Sequence, residues 1–393
     1  MRSNNKLAGI LFLFFIYTEL FAQQWPVKEW PSASPQSQSM NADSLKAFEE
    51  AIDAGRYGYI DKMVIIRNGK LVYQKSYKHD YNKIYGEEAR TKSGLNALEP
   101  GGQYNYYNSW WHPYYRRGDL HSLQSVTKTI TSVIIGVAVT RKEFPDLSTT
   151  VLSFFDTSEV TNIDDRKRRM TIRHLLTMTA GFEWNESVSY NDPRNDCSQM
   201  EASFDWIKYV ITKPMAFEPG QTFAYNSGAS QLLAYIFRKA TGKDIEEYAA
   251  ENLFSPLGID RFYWKRIPTG LVDTEGGLYL SETDLAKIFY LFLKEGNWNG
   301  KQLISKEWVI ASITPSVTLR QDVKYGYKWW LHGYGNDSKY AWTGSGFGGQ
   351  LPIIVPEYNI VAVFTAWNAI GGNPSLRVTE TIRRLVNAVG DKK

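Results

Sequence analysis

Leu120-His121-Ser122-Leu123-Gln124-Ser125-Val126-Thr127-Lys128-Thr129-Ile130-Thr131-Ser132-Val133-Ile134-Ile135-Gly136-Val137-Ala138-Val139 is the stretch on which the reading turns. From Thr127 to Val139 it is apolar and of helical length, and Ser125 stands where that helix opens. Residues three apart share one face of a helix, so the Ser125 hydroxyl and the Lys128 amine meet on the first turn. Burial lowers the pKa of a lysine, and a neutral amine there could take the serine proton and leave a nucleophile. The helix N-terminus also offers N–H groups and a positive dipole end to a developing oxyanion. Ser3 and Lys6 have the same spacing, so the pair by itself also fits a helix cap followed by a surface lysine.

Working outward, Asn41 to Ala54 has helical spacing with Leu45, Phe48 and Ile52 on one face. Met63-Val64-Ile65-Ile66 and Leu71-Val72-Tyr73 flank Asn68-Gly69, which predicts a hairpin. Residues 77–120 form a long irregular stretch holding Tyr104, Tyr106, Tyr107, Trp110, Trp111, Tyr114 and Tyr115. These aromatics either anchor the loop or serve a site. Helices are expected from Ile172 and over Ser230 to Ala240, the latter ended by Thr241-Gly242. Ser281-Glu282-Thr283-Asp284 resembles a capping box ahead of Leu285, Ile288 and Phe289.

Tyr325 to Leu331, Leu351 to Val355 and Ile360 to Trp367 read as strands. Gly335-Asn336-Asp337 and Pro356 to Asn359 read as turns, and a last helix is expected over about Ser375 to Val389. The order strands, helices, strands, helix predicts an α/β fold of α+β type. Its antiparallel sheet is built from both chain ends and flanked by helices, with a helical subdomain inserted at roughly 125–300. The expected organisation is a signal peptide over 1–22, an exposed lead-in over 23–40 and one domain over 41–390.

With 43% hydrophobic and 22% charged residues among 393, the chain can bury a sizeable core. A net charge of +4 is too small to argue for nucleic acid or an acidic membrane surface. The run Arg166-Lys167-Arg168-Arg169 reads as a solvated loop rather than a binding patch. Arg2 and Lys6, the apolar run Leu7 to Phe21 and then Ala22 predict an export signal, with an uncleaved anchor as the alternative. No cysteine follows that run, which excludes lipid attachment there. The single cysteine, Cys197, reads as a packing residue.

Among His79, His112, His121, His174 and His332 there is no close ligand pair, so neither metal nor other cofactor is expected. His174 at a helix start reads as structural. Phosphate-loop and G-x-S-x-G motifs are missing from the sequence.

Several further blocks follow Leu123-Gln124-Ser125-Val126-Thr127-Lys128-Thr129 in order. They are Met170-Thr171-Ile172-Arg173-His174-Leu175-Leu176-Thr177-Met178-Thr179-Ala180-Gly181, then Pro219-Gly220-Gln221-Thr222-Phe223-Ala224-Tyr225-Asn226-Ser227-Gly228. Next come Phe254-Ser255-Pro256-Leu257-Gly258-Ile259 and the span from Trp342-Thr343-Gly344-Ser345 to Pro356-Glu357. Together, over about residues 41–390, they resemble the serine β-lactamase and penicillin-binding-protein superfamily. The likeness is to its class C branch, with the related esterases, D-aminopeptidases and 6-aminohexanoate-dimer hydrolases.

The resemblance implies a serine hydrolase working through an acyl-enzyme on an ester or amide. Ser125 is the implied nucleophile, Lys128 the general base and Tyr225 the acid/base that serves the leaving group. The N–H groups of Ser125 and Ser345 would form an oxyanion hole. Ser227, Trp342, Thr343 and Gly344 would lie against the substrate, with Ser227 bonded around Lys128 or the substrate. Phe347, Gly348 and Gly349 read as hairpin geometry, and Glu186 as a loop contact able to reach the cleft. The tyrosine motif here is Tyr225-Asn226-Ser227, the form of the 6-aminohexanoate-dimer hydrolase branch. Trp342 stands where the β-lactamases carry the lysine of their third motif, which argues against anionic substrates. The expected partner is a small or peptide-like substrate, with no nucleic acid and no membrane after signal cleavage. A β-lactamase or DD-peptidase acting on cell-wall peptides is the alternative, and a non-hydrolysing penicillin-binding sensor is a third reading.

Overall fold

The computed structural model describes residues 25–96, 102–335 and 339–390. The expected signal peptide over 1–22 and the Asn336-Asp337 part of the predicted turn lie outside these. Two N-terminal strands, β1 (Ile60–Arg67) and β2 (Lys70–Ser76), form the hairpin. Its turn places Asn68 at φ 51° and Gly69 at φ 76°, the left-handed pair that an Asn-Gly turn accepts at least cost. Six strands follow late in the chain: β3 (Val317–Arg320), β4 (Val323–Tyr325), β5 (Trp330–Gly333), β6 (Tyr340–Thr343), β7 (Leu351–Val355) and β8 (Ile360–Ala366).

All eight strands make one antiparallel sheet in the order β2-β1-β8-β7-β6-β5-β4-β3. The two chain ends meet where β1 pairs with β8, the second and third strands of the sheet, with Met63 facing Phe364 and Ile65 facing Ala362. Strands β1, β7 and β8 are buried on both faces, and alternate residues serve different cores. Met63, Ile65, Ala362 and Phe364 join Leu45, Phe48, Ile382 and Leu385 beneath helices α1 (Ala42–Asp53) and α5 (Val378–Asn387). Val64, Ile66, Val361 and Val363 face the larger core on the other side.

Three more helices position the site within that larger core. Helix α2 (Val126–Thr140) runs through it and is buried on every face from Val126 to Ala138. Helix α3 (Ser227–Thr241) starts three residues before the sequence expectation, because the Asn226 side chain accepts the Ala229 N–H at 2.7 Å and fixes the cap there. Its C-terminal Gly242 is left-handed at φ 74°, as expected for a helix stop. Helix α4 (Glu282–Leu293) opens on Ser281, whose hydroxyl oxygen accepts the Asp284 N–H.

Two expectations need correction. Residues 325–331 are not one strand: β4 turns back through Gly326-Tyr327-Lys328-Trp329 into β5, so that Tyr325 pairs with Trp330. Lys328 takes the left-handed conformation at φ 62°. The segment Arg166 to Arg169 is a short helix (Asp165–Arg169) capped by Asp164, not a solvated loop. Its Lys167 is sealed inside, donating to the carbonyls of Thr161, Ile211 and Lys213 at 3.2, 2.8 and 2.7 Å. Burial lowers that amine to about 8.

Candidate active site

Gln124 is held at a left-handed φ of 48° and turns the chain sharply into α2. Ser125 therefore stands at the entrance of the helix without capping it. Its Oγ instead receives a hydrogen bond from Lys128 Nζ at 2.8 Å. The i, i+3 geometry expected from the sequence is thus formed, and the helix-cap reading of Ser125 is set aside. Tyr225 arrives from the strand-like approach to α3, within hydrogen-bonding reach of Ser125. Its ring centre lies 5.3 Å from Lys128 Nζ and it stacks on Trp330 at 6.1 Å.

Lys128 is 2% exposed. Besides Ser125 it donates to the Glu275 backbone carbonyl at 2.6 Å and to the Glu275 carboxylate at 3.1 Å. Three acceptors match the three hydrogens of an ammonium. Burial alone would strip that proton, but Tyr225, Glu275 and Glu186 outweigh it and hold the Lys128 pKa well above the ordinary lysine value. These charges favour the ammonium, against the neutral resting amine expected from burial. Burial dominates at Tyr225 and raises its pKa despite Lys128, which keeps it a phenol with a proton to donate.

Glu275 sits in Asp273-Thr274-Glu275-Gly276-Gly277, where Asp273 Oδ1 accepts the N–H groups of Glu275 and Gly276 at 3.0 and 2.8 Å. Leu278, just beyond, is clamped to the entrance of α2: Leu123 N–H donates to the Leu278 carbonyl at 2.9 Å, and Leu278 N–H to Thr127 Oγ1 at 3.2 Å. These bonds flank Ser125 on both sides and deliver Glu275 to Lys128. Behind Glu275 lies Glu201, hydrogen-bonded to it and accepting the Tyr106 hydroxyl at 2.5 Å. Burial and the Glu275 charge push Glu201 well above the carboxylate range, whereas Lys128, the Glu201 hydrogen bond and Lys265 outweigh the burial of Glu275 and hold it below. Cys197, packed as expected, offers Sγ within 4.8 Å of ligand atoms of both acids. Lys128 and Tyr106 already occupy oxygens of those two carboxyls.

The cleft above Ser125 encloses about 260 Å³ and is lined by Ser125, Tyr190, Tyr225, Trp330, Ser345, Gly346 and Phe347. Gly344 N–H donates to the Pro352 carbonyl and Gly346 N–H to the Gln350 carbonyl. Among the described residues, no such acceptor takes the N–H of Ser125 or of Ser345, and both residues line the cleft.

The third-motif residues expected against the substrate lie outside the lining of this cleft. Thr343 is fully buried, and Gly344 packs close to Val126 and Pro352. Trp342 lies in the ladder between Leu331 and Ile354 and packs on the large core. None of the three lines the cleft; its apolar wall comes from Trp330 and Phe347. Phe347 is therefore more than hairpin geometry, while Gly348 and Gly349 keep the positive φ of a turn. Ser227 turns away from Lys128. Its N–H and Oγ donate to Glu186 at 2.8 and 2.7 Å, and Trp184 and Tyr190 donate to the same carboxylate. Glu186 is thus the expected loop contact, and through Tyr190 it anchors the cleft wall.

The tyrosine-rich stretch supports the site from behind. Tyr104, Tyr106 and Tyr107 are buried, and none of residues 104–115 lines the cleft. His174 is structural, its Nδ1 accepting the Thr171 N–H at 3.1 Å.

The pattern that defines the beta-lactamase family matches residues 49–388, and the chain belongs to that family. It is similar to the 6-aminohexanoate-dimer hydrolase of Paenarthrobacter ureafaciens, 24% identical over 211 residues, 50% of this chain and 52% of that one. It is also similar to the Monacolin J acid methylbutanoyltransferase of Aspergillus terreus, 29% identical over 159 residues, 36% of this chain and 37% of that one. The chain thus spans about half or less of the length of these two relatives. The octameric penicillin-binding protein homologue from Pyrococcus abyssi shares the fold, with a TM-score of 0.60 and 20% identity over 88% of this chain and 77% of that one.

Proposed function

We propose that the protein is a serine hydrolase that opens ester or amide bonds of neutral acyl groups through an acyl-enzyme on Ser125. The observation that carries this is the 2.8 Å bond from Lys128 Nζ to Ser125 Oγ at the floor of an open cleft. Ser125 Oγ attacks the carbonyl carbon and its proton passes to the Lys128 amine. The oxyanion is received by the N–H groups of Ser125 and Ser345. The Tyr225 phenol protonates the leaving group, and the same side chains then serve the water that releases the acid. An intact Ser125, Lys128 and Tyr225 argue against a sensor that does not turn over. The export signal expected at the N-terminus would place this reaction outside the cytoplasm.

Substrate preference follows from the lining. Among the described residues, no lysine or arginine lines the cleft, and a carboxylate brought into it without a partner pays a desolvation cost. Trp330, Phe347 and Tyr190 offer flat apolar surface instead. Neutral acyl groups are favoured over penicillins and peptides with a free C-terminal carboxylate. Purified protein is to be assayed with short p-nitrophenyl esters, nitrocefin, D-alanyl peptides and aminohexanoate oligomers. Ester hydrolysis with a kcat/KM well above that for nitrocefin is expected. A higher kcat/KM for nitrocefin than for any neutral ester would overturn the preference.

A further inference from the structure

Lys128 poses a question of proton balance. Its three hydrogens already point at Ser125 Oγ, the Glu275 carbonyl and the Glu275 carboxylate. A filled ammonium cannot accept the serine proton unless it gives one away in the same step. Ser125 is the group being deprotonated, and a backbone carbonyl does not hold a proton near neutral pH. Among the described residues, the remaining hydrogen-bond partner of Lys128 with proton-binding capacity is the Glu275 carboxylate at 3.1 Å.

We infer that Glu275, backed by its hydrogen bond to Glu201, takes the proton that Lys128 releases when Lys128 receives the one from Ser125. This rests on the Ser125 reading above and extends it to a carboxyl pair that touches neither substrate nor Ser125. In the step, the O–H bond of Ser125 and one N–H bond of Lys128 break. A new N–H bond on Lys128, an O–H bond on Glu275 and the bond from Oγ to the substrate carbon form. Lys128 ends as it began, Glu275 becomes a neutral acid, and the negative charge moves from Glu275 to the oxyanion. When the oxyanion collapses, the protons run back and one leaves with the leaving group by way of Tyr225. Nothing is oxidised or reduced.

The surroundings suit a group that must change charge without water. Glu275 and Glu201 are each 5% exposed. On the helix Asp196–Ala202, Cys197 and Glu201 face Glu275, and the Tyr106 hydroxyl holds Glu201 from the other side. On its own loop Asp273 lies nearby, itself paired with Lys265 at 3.4 Å. Across the cleft, Glu186, Tyr190 and Tyr225 contribute to the same field. Glu201, kept neutral, has a hydrogen to give to Glu275, so it stabilises the carboxylate that must be ready for the next turnover.

Glu275 is thus a positioning residue with a proton-holding role, and its signature is in the pH profile. In the wild type the pair accepts the serine proton until acid protonates Glu275, so kcat/KM falls only on the acidic side. In Glu275→Gln the carboxamide cannot take the proton; losing the Glu275 charge also lowers the Lys128 pKa, so activity then follows the titration of Lys128 itself. For an ester substrate, we expect kcat/KM near neutral pH to fall about 10²-fold. Activity should then climb with rising pH through the range where the wild type is flat. Glu201→Leu removes the hydrogen donated to Glu275, raises the Glu275 pKa and should move the wild-type acidic limb upward. Glu201→Gln keeps a donor and should restore it.

Ser125→Ala is measured alongside. If Ser125→Ala is inactive while Glu275→Gln and Glu201→Leu both keep the wild-type pH profile, the inference is overturned and the Ser125 reading stands. If Ser125→Ala retains turnover, both fall. Should Glu275→Gln fail to fold, the acidic limb of Glu201→Leu decides, and an unmoved limb overturns the inference.

Discussion

Two lysines lie close together in the larger core, and their surroundings separate them. Lys128 and Lys328 are 2% and 1% exposed, so both have lost their water. Lys128 has a carboxylate and two further acceptors, and its proton is held. Lys328 reaches only the Met178 thioether, at 3.2 Å, and no salt bridge to it forms among the described residues. Burial and the nearby Lys128 charge drive its pKa well below the ordinary lysine value, against a weaker opposite pull from Glu186. Burial by itself neutralises a lysine; it takes a buried anion to keep one charged where a mobile proton is wanted. The chain supplies that anion to the lysine next to Ser125 and withholds it from the other. The Lys328 backbone is what the fold uses: its carbonyl accepts Thr129 Oγ1 at 2.8 Å and ties the β4–β5 turn to α2.

Replacing each lysine by methionine would sharpen or break this contrast. Lys128→Met should lower ester turnover by about 10³-fold or more, as expected when a group of a nucleophilic unit is lost. It should also destabilise the fold by about 3–5 kcal/mol, because Glu275 is left buried without its partner. Chemical denaturation and steady-state kinetics read the two effects. Lys328→Met, similar in volume and with no anion to strand, should not destabilise the fold and should keep turnover near wild type.

The sign of the smaller effect depends on pH. Between the depressed folded pKa of Lys328 and the unfolded value of 10.5, the unfolded chain binds a proton that the folded chain does not. The lysine therefore costs stability over that window, and the cost shrinks as pH rises towards 10.5. Lys328→Met should be stabilising, most at the low end of the window. A loss as large as that of Lys128→Met would show that Lys328 is charged in the native state and that the contrast is mistaken.

Much of this arrangement is legible in the sequence where the signal is local. Asn68-Gly69 marks the hairpin because few other pairs accept two left-handed residues, and the apolar run after Ser125 marks a helix buried on all sides. The Ser125–Lys128 contact follows from helix geometry alone. What is not legible is whatever depends on meeting across the fold. Glu275 stands far along the chain from Lys128 and Glu201, and only the fold brings them together. A trace of it exists in Asp273-Thr274-Glu275-Gly276-Gly277, where acids sit in a glycine-flanked turn ahead of the apolar Leu278-Tyr279-Leu280. The turn at Gly326-Tyr327-Lys328-Trp329 escapes notice because its left-handed residue is a lysine, not asparagine or glycine. Trp342 occupies the motif position, yet pleating and register put Trp330, from the neighbouring strand, into the cleft. Lys167 hides in a run of basic residues because burial by backbone carbonyls leaves no mark in the sequence.

The central claim is that Ser125 is the nucleophile, and covalent capture tests it most directly. The intact protein is to be treated with a fluorophosphonate probe, digested and mapped by mass spectrometry, with Ser125→Ala run in parallel. One labelled serine, Ser125, is expected, with labelling lost in Ser125→Ala. Labelling at another serine in the intact protein, undiminished in Ser125→Ala, would contradict it.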